Sequence, residues 1–199
     1  CIIPKIRGRF RSVPMQELLN EAKRLASEGV KELVLVAQET TLYGKDLTGE
    51  KQLPLLLHEL CKIEGIEWIR LLYCYPEEIT DELIKVIKTE EKVCNYIDMP
   101  IQHSENRILQ RMGRRTSRED LVAVIKKLRK EIPDITIRTT LITGFPGESQ
   151  EDHEGLMNFV EECQFDRLGV FTYSPEEDTL AATFEDQIDE EVKEERRDE

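Results

Sequence analysis

A chain of 199 residues, 39% hydrophobic and 35% charged, is long enough to bury one sizeable α/β core without disulfide staples. No apolar run approaches the ~18–20 residues of a membrane-spanning helix, which excludes a helical span within this stretch. The net charge of −13 is unevenly spread: residues 175–199 hold 12 acids against 3 bases, residues 1–174 hold 29 against 25, so the near-balanced core argues against nucleic acid as its main ligand and suits a basic protein partner.

The predicted elements alternate. After the opening Cys1-Ile2-Ile3-Pro4-Lys5-Ile6-Arg7-Gly8, a helix is expected over Pro14–Glu28, with Ser12 and Pro14 as start signals and Gly29 as its stop. A strand follows at Lys31–Gln38, a helix at Leu53–Ile63, a strand at Glu67–Tyr73 and a helix at Thr80–Thr89. Then come a strand at Tyr96–Ile101, a helix at Ser117–Lys130 and a strand at Ile135–Ile142. A helix at Gln150–Cys163, capped by Ser149, and a strand at Arg167–Tyr173 complete the pattern. The Val/Ile/Leu character of the strands predicts cover on both faces. Five strands with helical crossovers imply right-handed βαβ units and a parallel sheet, either a barrel or an open sheet. A strand ahead of Cys1 would make six. From residue 186 the chain is charge-dense and reads as a solvated helix surface.

Five cysteines (Cys1, Cys61, Cys74, Cys94 and Cys163) form no C-x-x-C pair, which fits reduced thiols of a cytosolic protein better than a disulfide framework. The four internal ones read as small buried hydrophobes. Cys1 stands where a native chain would start with methionine, so more polypeptide is expected ahead of it; a lone thiolate cannot hold a cluster without partners.

Parallel α/β folds gather their sites at the carboxyl ends of their strands. Those ends deliver Gln38-Glu39-Thr40-Thr41, Tyr73-Cys74-Tyr75-Pro76, Gln102-His103-Ser104, Gly144-Phe145-Pro146-Gly147-Glu148 and Tyr173-Ser174-Pro175-Glu176-Glu177. The Gly144–Glu148 turn either cradles an anion or an adenine edge on its N–H groups or is a tight βα turn without a ligand. It is neither a phosphate loop with its lysine nor a dinucleotide fingerprint. Gln102 and His103 suit an adenine, a ribose, a carboxylate or a proton, or a purely structural role. Arg138, inside a strand, needs an anion, from protein or ligand. Glu39 suits a ligand ammonium or a helix cap; Asp98 faces the same choice with the structural side favoured, and His58 and His153 read as structural. Three histidines without close spacing give no zinc site.

Taken together, Cys1-Ile2-Ile3-Pro4-Lys5-Ile6-Arg7-Gly8, Met99-Pro100-Ile101-Gln102-His103 and Gly144-Phe145-Pro146-Gly147-Glu148 resemble the radical S-adenosylmethionine methylthiotransferases. Tyr173-Ser174-Pro175-Glu176-Glu177-Asp178-Thr179, Gln38-Glu39-Thr40-Thr41 and Leu71-Leu72-Tyr73-Cys74-Tyr75-Pro76 resemble the RimO-type branch, which modifies a ribosomal protein rather than tRNA. The resemblance implies a partial (β/α)6 TIM-like barrel with parallel strands over residues 1–175, its first strand and cluster loop mostly missing, and a connecting tail over 176–199. It implies S-adenosyl-L-methionine and two [4Fe–4S] clusters as cofactors, an electron donor, and a cytoplasmic enzyme. Its reaction adds a methylthio group to the β-carbon of an aspartate in a small-subunit ribosomal protein, by way of a 5′-deoxyadenosyl radical.

By the same resemblance Cys1 is the third ligand of a [4Fe–4S] cluster. Gln38, Glu39, Gln102, His103 and Arg138 surround S-adenosylmethionine, Gly144 and Glu148 shape the adenine turn, and Glu176 and Glu177 engage substrate. The first two cysteines of the triplet and the flanking domains of the family are not in this sequence, so the chain by itself is expected neither to assemble a cluster nor to turn over. The rival readings are a tRNA adenosine methylthiotransferase, a cluster-free barrel binding a nucleotide or phosphate, and a non-catalytic protein-binding barrel.

Overall fold

The computed structural model describes residues 3–199, so Cys1 lies outside the described residues. In chain order the helices are α1 (Ile3–Arg7), α2 (Met15–Ser27), α3 (Lys45–Thr48), α4 (Leu53–Cys61), α5 (Asp81–Thr89), α6 (Asn106–Arg111), α7 (Arg118–Glu131), α8 (Gln150–Cys163) and α9 (Glu190–Asp198). The strands are β1 (Glu32–Leu35), β2 (Trp68–Leu71), β3 (Val93–Asp98), β4 (Thr136–Thr143) and β5 (Arg167–Thr172). Among the described residues no helix is long and apolar enough to cross a membrane.

The sheet order is β1-β2-β3-β4-β5, and the pairings β1–β2, β2–β3 and β4–β5 are parallel. A doubly wound open sheet reverses its strand order at a switch point; strands that follow one another without reversal are singly wound, as in a barrel. Such a sheet carries its helices on one side. On β1 Val34 is 48% exposed, β4 alternates buried with half-buried residues along its length, and β5 is open on both faces, with Leu168 42% and Phe171 58% exposed. The expectation of cover on both faces therefore fails for these strands.

The chain divides into two compact units. One comprises Phe10–Met99 and Lys126–Ile137. Its core is built where Leu53, Leu56, Leu57 and Leu60 recur on one face of α4 and Leu83, Ile84 and Ile87 on one face of α5. Ile69, Leu71 and Ile97 bury alongside them, each burial contributing on the order of 1.5–3 kcal/mol. Thr80 caps α5, its hydroxyl accepting the Leu83 N–H at 3.2 Å. Ser12 does not cap α2, which starts after Pro14. Instead Ser12 clips the loop after β1: its N–H donates to Asp46 Oδ2 at 2.8 Å and its hydroxyl accepts from Gly44 N at 3.0 Å.

The other unit holds the chain up to Arg9, Pro100–Ile125 and Arg138–Glu199. Its β4 and β5 pair in register from Arg138↔Arg167 to Thr143↔Thr172. Helix α8 begins on a capping box in which Ser149 and Asp152 each accept the other's backbone N–H, at 3.1 and 2.7 Å. Residues 176–199, expected as a connecting tail, pack within this unit, with Lys193 and Arg196 of α9 buried among exposed acids.

The third strand was expected at Tyr96–Ile101 and lies three residues earlier. Pro100 has no N–H to give a ladder, and Val93 is buried at the strand's start. The short helices α1, α3 and α6 were not anticipated, because four to six residues give too little periodicity to detect.

Candidate functional site

In the unit built on β1 and β2, the strand ends bring Glu39, Thr40, Thr41, Tyr73, Cys74 and Asp98 into buried or turn positions. Glu39 is 7% exposed. Its Oε1 accepts the Thr41 N–H at 2.8 Å and the Thr41 hydroxyl, whereas Oε2 is buried without a partner in hydrogen-bond geometry. Burial raises its pKa, aided by the Glu78 charge, and prevails over the hydrogen bonds from Thr41 and the Tyr75 N–H that favour the carboxylate. Thr40 ties the end of β1 to that of β2, its N–H donating to Tyr73 O at 3.0 Å and its hydroxyl to Leu72 O at 2.6 Å.

Tyr73 has φ +57°, a left-handed conformation that is strained for an aromatic residue. Its N–H donates to Asp98 Oδ2 at 3.1 Å, and the Cys74 N–H donates to Asp98 O at 2.9 Å. Asp98 thus has the structural part expected of it, holding the turn after β2. Cys74 is fully buried and its thiol is pushed up by burial. Gln38 is exposed, one residue before the buried Glu39.

In the other unit, Gln102 also has a left-handed backbone, φ +72°, pinned to β4 on both sides. Its N–H donates to Thr140 O at 2.9 Å and its carbonyl accepts from Ile142 N at 2.8 Å. His103 is fully buried. Its Nδ1 accepts the Glu105 N–H at 3.0 Å, so the ring proton sits on Nε2, which faces Glu148 Oε2 across 3.4 Å.

Glu148 is buried and its two oxygens are divided. Oε2 accepts the Gly144 N–H at 2.9 Å; Oε1 accepts from Arg196 Nη1 at 2.9 Å, and the same Nη1 donates to the Glu148 carbonyl at 3.1 Å. Burial pushes the Glu148 pKa up, but His103, the Gly144 N–H and the Arg196 charge together outweigh it and hold the carboxyl below its ordinary value. His153 comes within 3.9 Å of Oε1 on one side and pairs with Glu199 at 2.9 Å on the other.

The glycine turn is as permissive as its sequence required: Gly144 has φ +69° and Gly147 φ +83°. The close approach it permits is to the chain itself. A Cβ on Gly144 would collide with the Lys193 side chain, and one on Gly147 with Asp186. Lys193 Nζ lies 5.5 Å from the centre of the Tyr173 ring, which meets Phe145 edge-on at 5.2 Å. At the same strand ends the hydroxyls of Thr143 and Tyr173 are buried without hydrogen-bond partners. Arg138 is half-buried in β4, and Glu176 and Glu177 are exposed just after β5. Ser174 donates to Glu176 at 3.3 Å.

Gln102, His103, Gly144 and Glu148 are therefore gathered in one unit, and Glu39 with Gln38 lies in the other. Sequence reasoning missed Arg196, Lys193 and the linking part of His153. The signal was present: Lys193 and Arg196 recur at i, i+3 on one face of a helix whose other residues are mostly acidic.

The sequence matches the radical SAM superfamily over residues 1–160. The chain belongs to the radical SAM superfamily. Solved structures agree on the fold. This radical SAM chain superposes on coproporphyrinogen III oxidase (HemN) from Escherichia coli with a TM-score of 0.70 at 19% identity, covering 92% of this chain and 43% of that one. The radical SAM methyltransferase TsrM from Kitasatospora setae gives 0.67 at 17%, covering 83% and 32%. The five parallel strands are thus part of a TIM-like α/β barrel.

Among sequence relatives, the ribosomal protein uS12 methylthiotransferase RimO of Lachnoclostridium phytofermentans is 66% identical over 97% of the chain and 44% of its own length. The proteins of the same name from Clostridium perfringens and Clostridium botulinum are 60% and 55% identical over the whole chain and 45% of theirs. The chain spans under half the length of these relatives.

Proposed function

We propose that this chain is the radical SAM core of a methylthiotransferase that modifies an aspartate β-carbon of ribosomal protein uS12. One observation carries the reading: relatives of that name match the chain at 55–66% identity across nearly its whole length. The exposed acids Glu176 and Glu177 after β5 support it, because they suit a basic protein substrate better than an RNA phosphate backbone.

S-adenosylmethionine fits the chemistry of the residues present. The unpartnered, buried Oε2 of Glu39 suits a ligand ammonium, and the unpartnered hydroxyls of Thr143 and Tyr173 suit its polar edges. Gln38, Glu39, Gln102, His103 and Arg138 would bind it, with Gly144 and Glu148 shaping the turn beside it. When bound together with a [4Fe–4S] cluster, it supplies hydrogen-atom abstraction from an unactivated carbon. Cys1 would be one of the cluster's ligands; among the described residues no group of three or more His, Cys, Asp or Glu is placed to hold a metal.

The chain's own residues bind and orient. Gln102, locked in a left-handed backbone by Thr140 and Ile142, presents its side chain from a fixed point. His103 accepts the Glu105 N–H on Nδ1 and turns its Nε2 proton toward Glu148, so it would contribute to binding by holding the Gln102 segment in place. Phe145 and Tyr173 meet edge-on at 5.2 Å and bury the apolar part of the glycine turn.

The test is anaerobic reconstitution of the full-length protein, which is then offered uS12 and, separately, a tRNA anticodon stem. Mass spectrometry should find a methylthio group on a uS12 aspartate and none on the tRNA. Modification of the tRNA alone would overturn the choice of substrate, and no iron or sulfide after reconstitution would overturn the chemistry.

A further inference from the structure

Helix α9 places two buried bases against the Gly144–Glu148 turn, and the resemblance assigned neither of them a role. Lys193 is 3% exposed and its methylenes fill the space that a Cβ on Gly144 would need. Arg196 is 9% exposed and one of its nitrogens holds Glu148 twice, by side chain and by main chain. Glu148 in turn holds the Gly144 N–H and faces His103, the neighbour of the strained Gln102. A continuous path of contacts therefore runs from α9 through Glu148 to both segments of this unit proposed above to meet the cofactor.

We propose that Arg196 is a positioning residue, which sets the Gly144–Glu148 turn and the Gln102–His103 segment for S-adenosylmethionine by clamping Glu148. The clamp rests on the functional reading above. It depends on Glu148 being ionised, because the carboxylate accepts from Gly144 and Arg196 and faces the His103 Nε2–H across 3.4 Å. The charged or titratable groups facing Glu148 are His103, Arg196 from α9 and His153 from α8, with Glu199 beyond His153; Arg107 reaches the neighbouring Gly147 carbonyl at 2.7 Å. Without Arg196 the Glu148 carboxyl loses one of the three groups that hold it below its ordinary value, so it would move up and the turn would loosen more readily as pH falls.

The experiment measures binding of S-adenosylhomocysteine, an unreactive analogue, to the reconstituted full-length protein by calorimetry at pH 8 and at pH 6. Wild type should bind with an affinity that varies little with pH. Arg196→Ala should bind about tenfold more weakly, about 1.4 kcal/mol, and weaken further as pH falls. Arg196→Lys should recover most of the loss. If Arg196→Ala does not fold, Arg196→Gln against Arg196→Lys carries the same comparison. Wild-type affinity in the uncharged variant, or a loss that is flat with pH and not recovered by lysine, overturns the proposal and leaves the functional reading standing. A wild-type protein that does not bind the analogue overturns both.

Discussion

Two glutamates sit at strand ends of this barrel, both buried to more than nine-tenths, and their chemistry is opposite. Glu39 keeps one oxygen without a partner and its carboxyl is pushed up; Glu148 has both oxygens engaged and its carboxyl is held down. Burial acts the same way on each. The difference is the company: a threonine and a backbone N–H against a histidine, a backbone N–H and an arginine. A buried acid completed by its own chain serves the scaffold; the incomplete one is where we propose that the ligand ammonium sits.

The sharpest way to break this contrast is Glu148→Ala, which strands Arg196 and His103 in the interior. Loss of one partner from a buried pair costs about 3–5 kcal/mol, and urea unfolding of the full-length protein should register a fall of that order. Gly144→Ala comes next. It forces a side chain into a left-handed backbone and into Lys193, for an expected loss of about 1–3 kcal/mol by the same assay, smaller when Lys193→Ala is added. Ser149→Ala removes the capping box that starts α8 just after Glu148 and should cost about 1 kcal/mol.

The smallest effect has the opposite sign. Glu39→Gln removes a charge that the fold penalises, so the variant should match or exceed wild-type stability near neutrality while weakening S-adenosylhomocysteine binding. The pH dependence separates the two acids. A raised carboxyl destabilises the fold where it is ionised, so the Glu39→Gln gain should vanish as pH falls below the ordinary carboxylate range. A lowered carboxyl stabilises the fold above that range, so the Glu148 contribution should be lost as pH falls through its folded-state value. Parallel unfolding curves at neutral and acid pH check both signs, and a shared sign would erase the contrast.

Much of the barrel was legible in the sequence. The alternation of apolar runs with amphipathic ones located five strands and the five long helices between and before them, because burying a stripe or a face imposes its period on the residues. The strand-end rule then picked out Glu39, Gln102, His103, Gly144 and Glu148 before any contact was known. Strand β3 slipped by three residues because Tyr96–Ile101 is as apolar as Val93–Asp98 and only the ladder distinguishes them. The cover of the strands was misjudged for a related reason: β-rich composition reports a strand, not the number of faces that helices reach.

By itself, the sequence determined the order of strands and helices, the two glycines that a left-handed turn demands, and a set of polar residues at the strand ends. Each of these follows from local chemistry, a period or a φ angle. Tertiary structure alone decided which of two similar glutamates would be satisfied. Arg196 lies 48 residues beyond Glu148 in a stretch whose acids conceal it, and no local rule joins them. Only the packing of α9 brings that guanidinium to one carboxylate and leaves the other without it.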